Sequence, residues 1–407
     1  MAPPTSNIGR AMDLISDHSN KLQVLADRLE NFEKEYKTEI HSIKEQVYDL
    51  KLGKIPNGNK KDARSVTTPT LFNASNLQIP VLIIACDRVT VSRAIDSVLR
   101  HKPQNKKFPV IVSQDCGNEQ TSKVIDSYQD KLTHIMQPDT SVIAVPAAEK
   151  RMAGYYKISR HYRWALSQVF DVYGYKLAII IEDDLEVSSD FFTYMEATSP
   201  LLLSDPTLLC VSAWNDNGKK DLIDSSRNDL LYRSDFFPGL GWMLTADLWH
   251  ELKPKWPSSY WDDWLRLNEQ RKGRSCIRPE ISRTQTFGRV GVSKGQYYDK
   301  HLKFIQANDK SYPFKTSNLT YLLKENYDRY FVDRIKNLPS ISPNDILASH
   351  AKEVTIQYSD EKEFVKLAKK LGLMSDTKDG VPRTSYKGIV TFYKNDCRMH
   401  LIPTALR

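Results

Sequence analysis

Residues 177–186, Leu-Ala-Ile-Ile-Ile-Glu-Asp-Asp-Leu-Glu, constrain the fold more than any other stretch, because a run of apolar β-formers ends in three consecutive carboxylates. Side chains alternate along a strand, and open α/β sheets bind ligands beyond the carboxyl ends of their parallel strands. Glu182, Asp183 and Asp184 are therefore expected at the mouth of a site, facing different ways. Adjacent carboxylates repel, and a hard divalent cation shared with a phosphate-bearing substrate would compensate them. The plainer alternative is an acidic turn leading into a helix N-terminus, where the helix dipole favours negative charge.

Around this segment the pattern alternates. Strands are expected near 80–85, 109–113, 132–137, 178–182 and 208–213, with helices near 89–101, 119–130, 154–171 and 189–204. Such alternation predicts a largely parallel sheet with helices on both faces, an α/β fold. After about residue 325 the pattern changes. A short amphipathic helix over Phe364–Leu373 and strands at 388–392 and 398–402 predict a small second α+β domain.

The first fifty residues differ from the rest. Leu22, Leu25, Leu29, Phe32 and Tyr36, then Ile40, Ile43, Val47 and Leu50, follow heptad spacing with one extra four-residue step, the pattern of a coiled coil with a stutter. The remaining faces are polar, so this helix needs a partner, and a homodimer through it is one expectation. The segment from Gly53 to Pro69 is rich in Gly, Asn, Lys and Pro and predicts a flexible tether. The expected division is a stem at 1–52, a linker at 53–76, a catalytic domain at 77–301, a second linker at 302–324 and a small domain at 325–407.

Composition excludes little but usefully. With 407 residues, 27% of them charged and 40% hydrophobic, the chain resembles an ordinary globular protein. The net charge of +8 comes from dispersed Lys and Arg without a nucleic-acid motif, so it favours an anionic substrate and not a duplex. No run of about 20 apolar residues exists to cross a bilayer. Two sequons, Asn73-Ala-Ser75 and Asn318-Leu-Thr320, nevertheless point to a secretory compartment. In that setting a membrane anchor is expected upstream of Met1.

The five cysteines lack the close pairs of a zinc site. Cys86 and Cys116 each lie just beyond a short apolar strand. If those strands are parallel neighbours, roughly 4.8 Å apart, the Cα atoms fall within the roughly 4.4–6.8 Å of a disulfide. Two ordinary buried thiols are the alternative.

Three strand ends gather polar groups on one rim: Cys86-Asp87-Arg88, Gln114-Asp115-Cys116 and Glu182-Asp183-Asp184. The Arg88 guanidinium suits a phosphate, or pairs with a rim acid. His161 sits in a helical run among Tyr156, Tyr162 and Trp164, where a lone histidine is more often packed or capping than a ligand contact. Phe236-Phe-Pro-Gly-Leu-Gly-Trp-Met243 and Tyr260-Trp-Asp-Asp-Trp264 combine aromatics with carboxylates. Indole faces pack on sugar rings, and a carboxylate among them can take a proton from a sugar hydroxyl. The alternative is a helix with buried Trp anchors. Gly288-Arg-Val-Gly-Val-Ser-Lys-Gly295 is a glycine-hinged loop suited to a lid over a phosphate; it is not a Walker A loop.

These motifs, with Tyr156-Lys-Ile-Ser-Arg-His-Tyr162, Ala213-Trp-Asn-Asp-Asn-Gly218 and Arg278-Pro-Glu-Ile-Ser-Arg283, resemble the alpha-1,3-mannosyl-glycoprotein 2-beta-N-acetylglucosaminyltransferase family from about Ile79 to the C-terminal region. The resemblance implies a GT-A, Rossmann-like fold and a Golgi type II membrane protein. It implies inverting transfer of GlcNAc from UDP-GlcNAc, in β1,2 linkage, to the α1,3-arm mannose of a Man5GlcNAc2 N-glycan, the step that opens hybrid and complex glycan synthesis. By resemblance Asp262 is the base and Asp184 the single protein ligand to Mn2+. Arg88, Val292 and Ser293 serve the diphosphate, Asp183 the ribose, Asp115 and His161 the uracil, and Glu182 and Trp261 the donor sugar. The resemblance also implies disulfides Cys86–Cys116 and Cys210–Cys276, leaving Cys397 unpaired, and a loop over 289–300 that orders on the donor before acceptor binds. Two alternatives remain: a sister transferase acting on O-linked mannose, and a non-catalytic Golgi lectin or scaffold, for which an acid at both 184 and 262 would be superfluous.

Overall fold

The computed structural model describes residues 71–292, 295–345 and 351–406. The chain divides into two units at Thr67/Thr68, and the described residues belong to the second, Thr68–Arg407. The expected coiled-coil stem lies outside the described residues, as does the linker up to residue 70.

The body is a mixed sheet covered by helices. Its first three strands, β1 (Val81–Ala85), β2 (Val110–Gln114) and β3 (Thr133–Met136), alternate with helices α1 (Val91–His101) and α2 (Glu119–Asp126). Helix α3 (Ala153–Ser167) leads to β4 (Leu177–Glu182), a short β5 (Leu185–Val187) and helix α4 (Phe191–Ser204). Then follow β6 (Leu208–Ser212), β7 (Leu231–Ser234), β8 (Trp242–Thr245), helices α5 (Ala246–Leu252) and α6 (Trp261–Arg266), β9 (Ser275–Pro279) and β10 (Thr284–Thr286). Every residue of β1 and β2 is buried, as expected for strands sandwiched between helix layers. Alternation divides their side chains between two cores. Ile83 and Ile179 meet Ile95 of α1 and Phe191 of α4, while Leu82 and Ile180 meet Leu166 of α3 and Trp249 of α5.

The strand order is β3-β2-β1-β4-β8-β6-β9-β7. Strands β1 to β4 pair in parallel, as the alternating pattern predicts, and β6 pairs in parallel with β9. The sheet departs from a largely parallel one at β8, which inserts antiparallel between β4 and β6, and at the antiparallel edge strand β7. Both are four residues long, too short to carry a period. Strands β5 and β10 form a separate antiparallel pair.

The C-terminal part contains β11 (Glu353–Tyr358), helix α7 (Glu361–Leu371), the small hairpin β12 (Thr377–Lys378) and β13 (Val381–Pro382), then β14 (Val390–Lys394) and β15 (Cys397–Pro403). Helix α7 begins where the Asp360 side chain accepts from the Glu363 N–H, and it ends at Gly372 in the left-handed region. Strand β15 pairs in parallel with β11 and antiparallel with β14 around Val354, Ile356, Phe364, Leu367 and Met399. Residues 302–324, expected as a linker, instead place Phe314 and Leu322 fully in the core of the main sheet, so no loose tether separates the two parts. Residues 71–76 also pack down: Ala74 is buried, the Phe72 N–H donates to Ser204 Oγ at 2.7 Å, and Lys107 Nζ donates to the carbonyls of Ala74 and Ser75.

Candidate active site

Register brings the polar strand ends together. Ile84 pairs with Glu182, Ala85 with Gln114, and the N–H groups of Asp115 and Asp183 donate to the carbonyls of Ala85 and Ile84 at 2.9 and 3.0 Å. Arg88, Asp115 and the three acids therefore share one rim. The Cys86–Cys116 disulfide, with Cα atoms 5.3 Å apart, ties the β1 and β2 ends together. Cys210 and Cys276, paired in register on β6 and β9, form the second bridge, and Cys397 is buried and free.

On this rim lies a cavity of about 490 Å3. Its floor is Arg88, Asp115, Glu182, Asp183 and Asp184, and its roof is Val290, Gly291 and Val292. One wall is a face of α3, where Gly154, Lys157, Ile158 and His161 recur at spacings of three and four. Ser293 lies outside the described residues.

The three acids have different environments. Glu182, last residue of β4, is buried and accepts from the Tyr162 hydroxyl at 2.8 Å. Burial first, then Asp184, raises its pKa to about 7. Burial likewise raises Asp183 to about 7, against the pull of Arg88. Arg88 Nη1 donates to Asp183 Oδ1 at 2.9 Å and to Asp184 Oδ2 at 2.7 Å. Burial opposes its charge, but the two carboxylates prevail and its pKa is raised. One guanidinium thus faces three acids, two of which burial pushes towards their neutral forms. Of the two roles the sequence leaves open for Arg88, the rim-acid pair is the one made here.

His161 is buried, its Nε2 2.7 Å from Ser113 Oγ, and burial lowers its pKa to about 4 despite Asp115. It is a neutral imidazole beside a buried acid, suited to hydrogen bonding and not to charge.

The roof is fitted by absent side chains. A Cβ on Gly288 would lie 1.9 Å from Asp184 Oδ2, and one on Gly291 would lie 2.8 Å from Arg88 Nη2. A Cβ on Gly154 would meet Val292 at 2.7 Å. The pairing of β10 with β5 anchors the loop immediately beside the acids, and the Phe287 N–H donates to the Asp184 carbonyl at 2.9 Å.

Asp262 lies elsewhere. It and Trp261 line a second cavity of about 330 Å3 with Tyr155, Asp216, Tyr260, Asp263, Arg266, Tyr297, Met374 and Arg383. Trp261 is buried among Tyr162, Trp242 and Trp256, with centroids 4.3, 5.8 and 5.8 Å away. Tyr162 borders the first cavity and Trp261 the second, so this tilted ring pair, with α3, forms a shared wall. The Asp262 carboxylate is 41% exposed, and Arg266 Nη1 donates to its Oδ2 at 2.8 Å and to Asp263 Oδ1 at 2.9 Å. Arg266 is fixed in turn: its Nε donates to the Phe237 carbonyl and its guanidinium covers the Phe236 ring.

Sequence reading missed Tyr162, Lys157, Asp216, Arg266 and Arg383 as lining residues. The α3 face was available as a helical period; Asp216 and Arg383 are 167 residues apart, and no local pattern joins them.

A family model described as GNT-I family matches residues 5–406. An alpha-1,3-mannosyl-glycoprotein 2-beta-N-acetylglucosaminyltransferase of Arabidopsis thaliana is 43% identical over 317 residues, 77% of this chain and 70% of that protein. Among solved structures, S. aureus TarS 1-349 in complex with UDP-GlcNAc matches at TM-score 0.38 and 13% identity, over 53% of this chain and 61% of that one. The mannosyltransferase PcManGT from Pyrobaculum calidifontis in complex with GDP-Man and Mn2+ matches at TM-score 0.38 and 15% identity, over 63% and 71%. These two structural likenesses are remote.

Proposed function

This chain belongs to the GNT-I family, and we propose that it transfers N-acetylglucosamine from UDP-GlcNAc to O2 of the α1,3-arm mannose of Man5GlcNAc2 N-glycans, with inversion. The family and the 43% identity make it a GlcNAc-transferase of mannosyl glycoproteins; the donor, arm and stereochemistry are the finer reading. One observation carries it above others: an acid rim with a single guanidinium and a separate carboxylate, Asp262, stand on two sides of one aromatic wall.

In this reading UDP-GlcNAc fills the larger cavity. Asp115 and neutral His161 accept and donate hydrogen bonds at the uracil edge, Asp183 takes the ribose hydroxyls, and Arg88 turns from the acids to the diphosphate. Val292 and Ser293 close over the phosphates. Asp262 accepts the proton of the mannose O2 hydroxyl as O2 bonds to the anomeric carbon and the carbon–phosphate oxygen bond breaks, its electron pair leaving with UDP. The Tyr162–Trp261 ring pair holds the wall along which the two sugars meet.

The residues fit a hard cation at Asp184. It offers an oxygen ligand on a rim where three acids share one guanidinium, and no three His, Cys, Asp or Glu side chains converge as a cage among the described residues. Asp184 would hold Mn2+ with diphosphate and water completing the shell, and the ion would supply charge stabilisation to the leaving diphosphate. The Golgi lumen, a type II anchor and a dimeric stem belong to the same reading. Calorimetry of UDP-GlcNAc with Mn2+ and with chelator tests it: affinity should fall at least tenfold on chelation, and equal affinities would remove the metal from the account.

A further inference from the structure

We propose that Asp216 recognises the acceptor, its Oδ2 accepting a hydrogen bond from a hydroxyl of the mannosyl glycan seated beside Asp262. The inference rests on Asp262 being the base. Asp216 lies in the turn after β6 and is only 2% exposed, yet it lines the 330 Å3 cavity. Its two oxygens are treated differently. Oδ1 accepts from Arg383 Nη1 at 3.0 Å, whereas Oδ2 is buried with no hydrogen-bond partner.

A carboxylate oxygen can only accept, so the missing group is a donor, and a buried one left unmet is costly. The turn cannot relax to find a partner. Asn215 on one side donates to the Glu280 carbonyl at 2.6 Å. Asn217 on the other donates to Thr384 Oγ1 and accepts from the Met374 N–H. Arg383 is pinned as well, over the Phe236 ring at 4.7 Å and paired with Asp376. The oxygen is thus held in place before any ligand arrives, which is how a recognition group is built.

The cavity's chemistry selects the donor. Asp216, Asp262 and Asp263 face Arg266 and Arg383, a balance that disfavours a second anion. Tyr155 and Tyr260 stack at 4.7 Å to give a flat flank for an apolar sugar face. A neutral polyhydroxylated ring meets all of these. The C-terminal part supplies Met374 and Arg383, so the acceptor cavity is incomplete without it.

The test is a coupling measurement. Transfer to a mannosyl N-glycan and to its monodeoxy analogues is compared in wild type, Asp216→Asn and Asp216→Ser, with UDP-GlcNAc affinity and melting temperature as checks on folding. We expect donor affinity within twofold of wild type and acceptor kcat/KM lower by roughly 10- to 100-fold. One monodeoxy analogue should lose a similar factor on wild type and nothing further on the variants. Additive losses for every analogue, or unchanged acceptor kcat/KM, would overturn the assignment. If neither variant folds, wild type losing no activity with any monodeoxy analogue would also overturn it. A wild type that binds UDP-GlcNAc but transfers to no mannosyl acceptor would instead sink the reading of the whole cavity.

Discussion

Asp262 and Arg266 stand four residues apart on one helix, the spacing that stacks side chains on a face, and the guanidinium lies 2.8 Å from the carboxylate. That contact orients the acid. Asp262→Asn should leave UDP-GlcNAc binding intact while transfer falls by roughly 10²- to 10⁴-fold, measured by calorimetry and product formation; parallel loss of donor binding would mean the residue holds the donor. His161 gives a second prediction. Its pKa is lowered by burial to about 4 from an ordinary 6.5, so it contributes stability above pH 6.5 that is lost as pH falls from about 6.5 towards 4. The melting temperature of wild type relative to His161→Gln should therefore drop across that window, an effect on the order of 3 kcal/mol at most. A pH-independent difference would place the imidazole in a more polar setting. At this scale the gathering of the three acids and Arg88 on one rim was legible, because consecutive charges after an apolar run cannot hide, whereas the role given to Asp262 came from the family resemblance. The unmet oxygen of Asp216 was not, because partnership is a three-dimensional property.

Among the elements, the lid follows from three missing side chains. Gly288, Gly291 and Gly154 allow the loop to lie on Asp184, Arg88 and helix α3 at distances no Cβ would tolerate. Gly288→Ala must lift the loop or displace Asp184. Donor affinity should weaken by at least tenfold with little change in melting temperature, read by calorimetry and thermal unfolding; unaltered affinity would show that loop closure contributes nothing to binding. Strand and helix identity around the acid segment was legible from period, since β1, β2 and β4 are apolar runs and α1 repeats every three to four residues. Of the strands in the main body that escaped, β5, β7, β8 and β10 are three or four residues long and β9 is five, and their pairing is set by neighbours distant in sequence.

For the whole molecule, the second half of the chain determines more of the site than its pattern suggests. Residues 302–324 read as a linker because they lack periodicity, yet Phe314 and Leu322 anchor them in the core. Strand β11 escaped because its partner, β15, begins some forty residues later. The outcome is one compact unit in which the C-terminal part walls the cavity that holds Asp262. The central claim is that this unit moves GlcNAc onto an N-glycan mannose, and one assay addresses it most directly. Protein, UDP-GlcNAc and Mn2+ are supplied with Man5GlcNAc2 and, separately, with an O-mannosyl peptide, and product mass and linkage are read. The account predicts a single β1,2-linked GlcNAc on the N-glycan and none on the peptide; product on the peptide alone, or on neither, would contradict it.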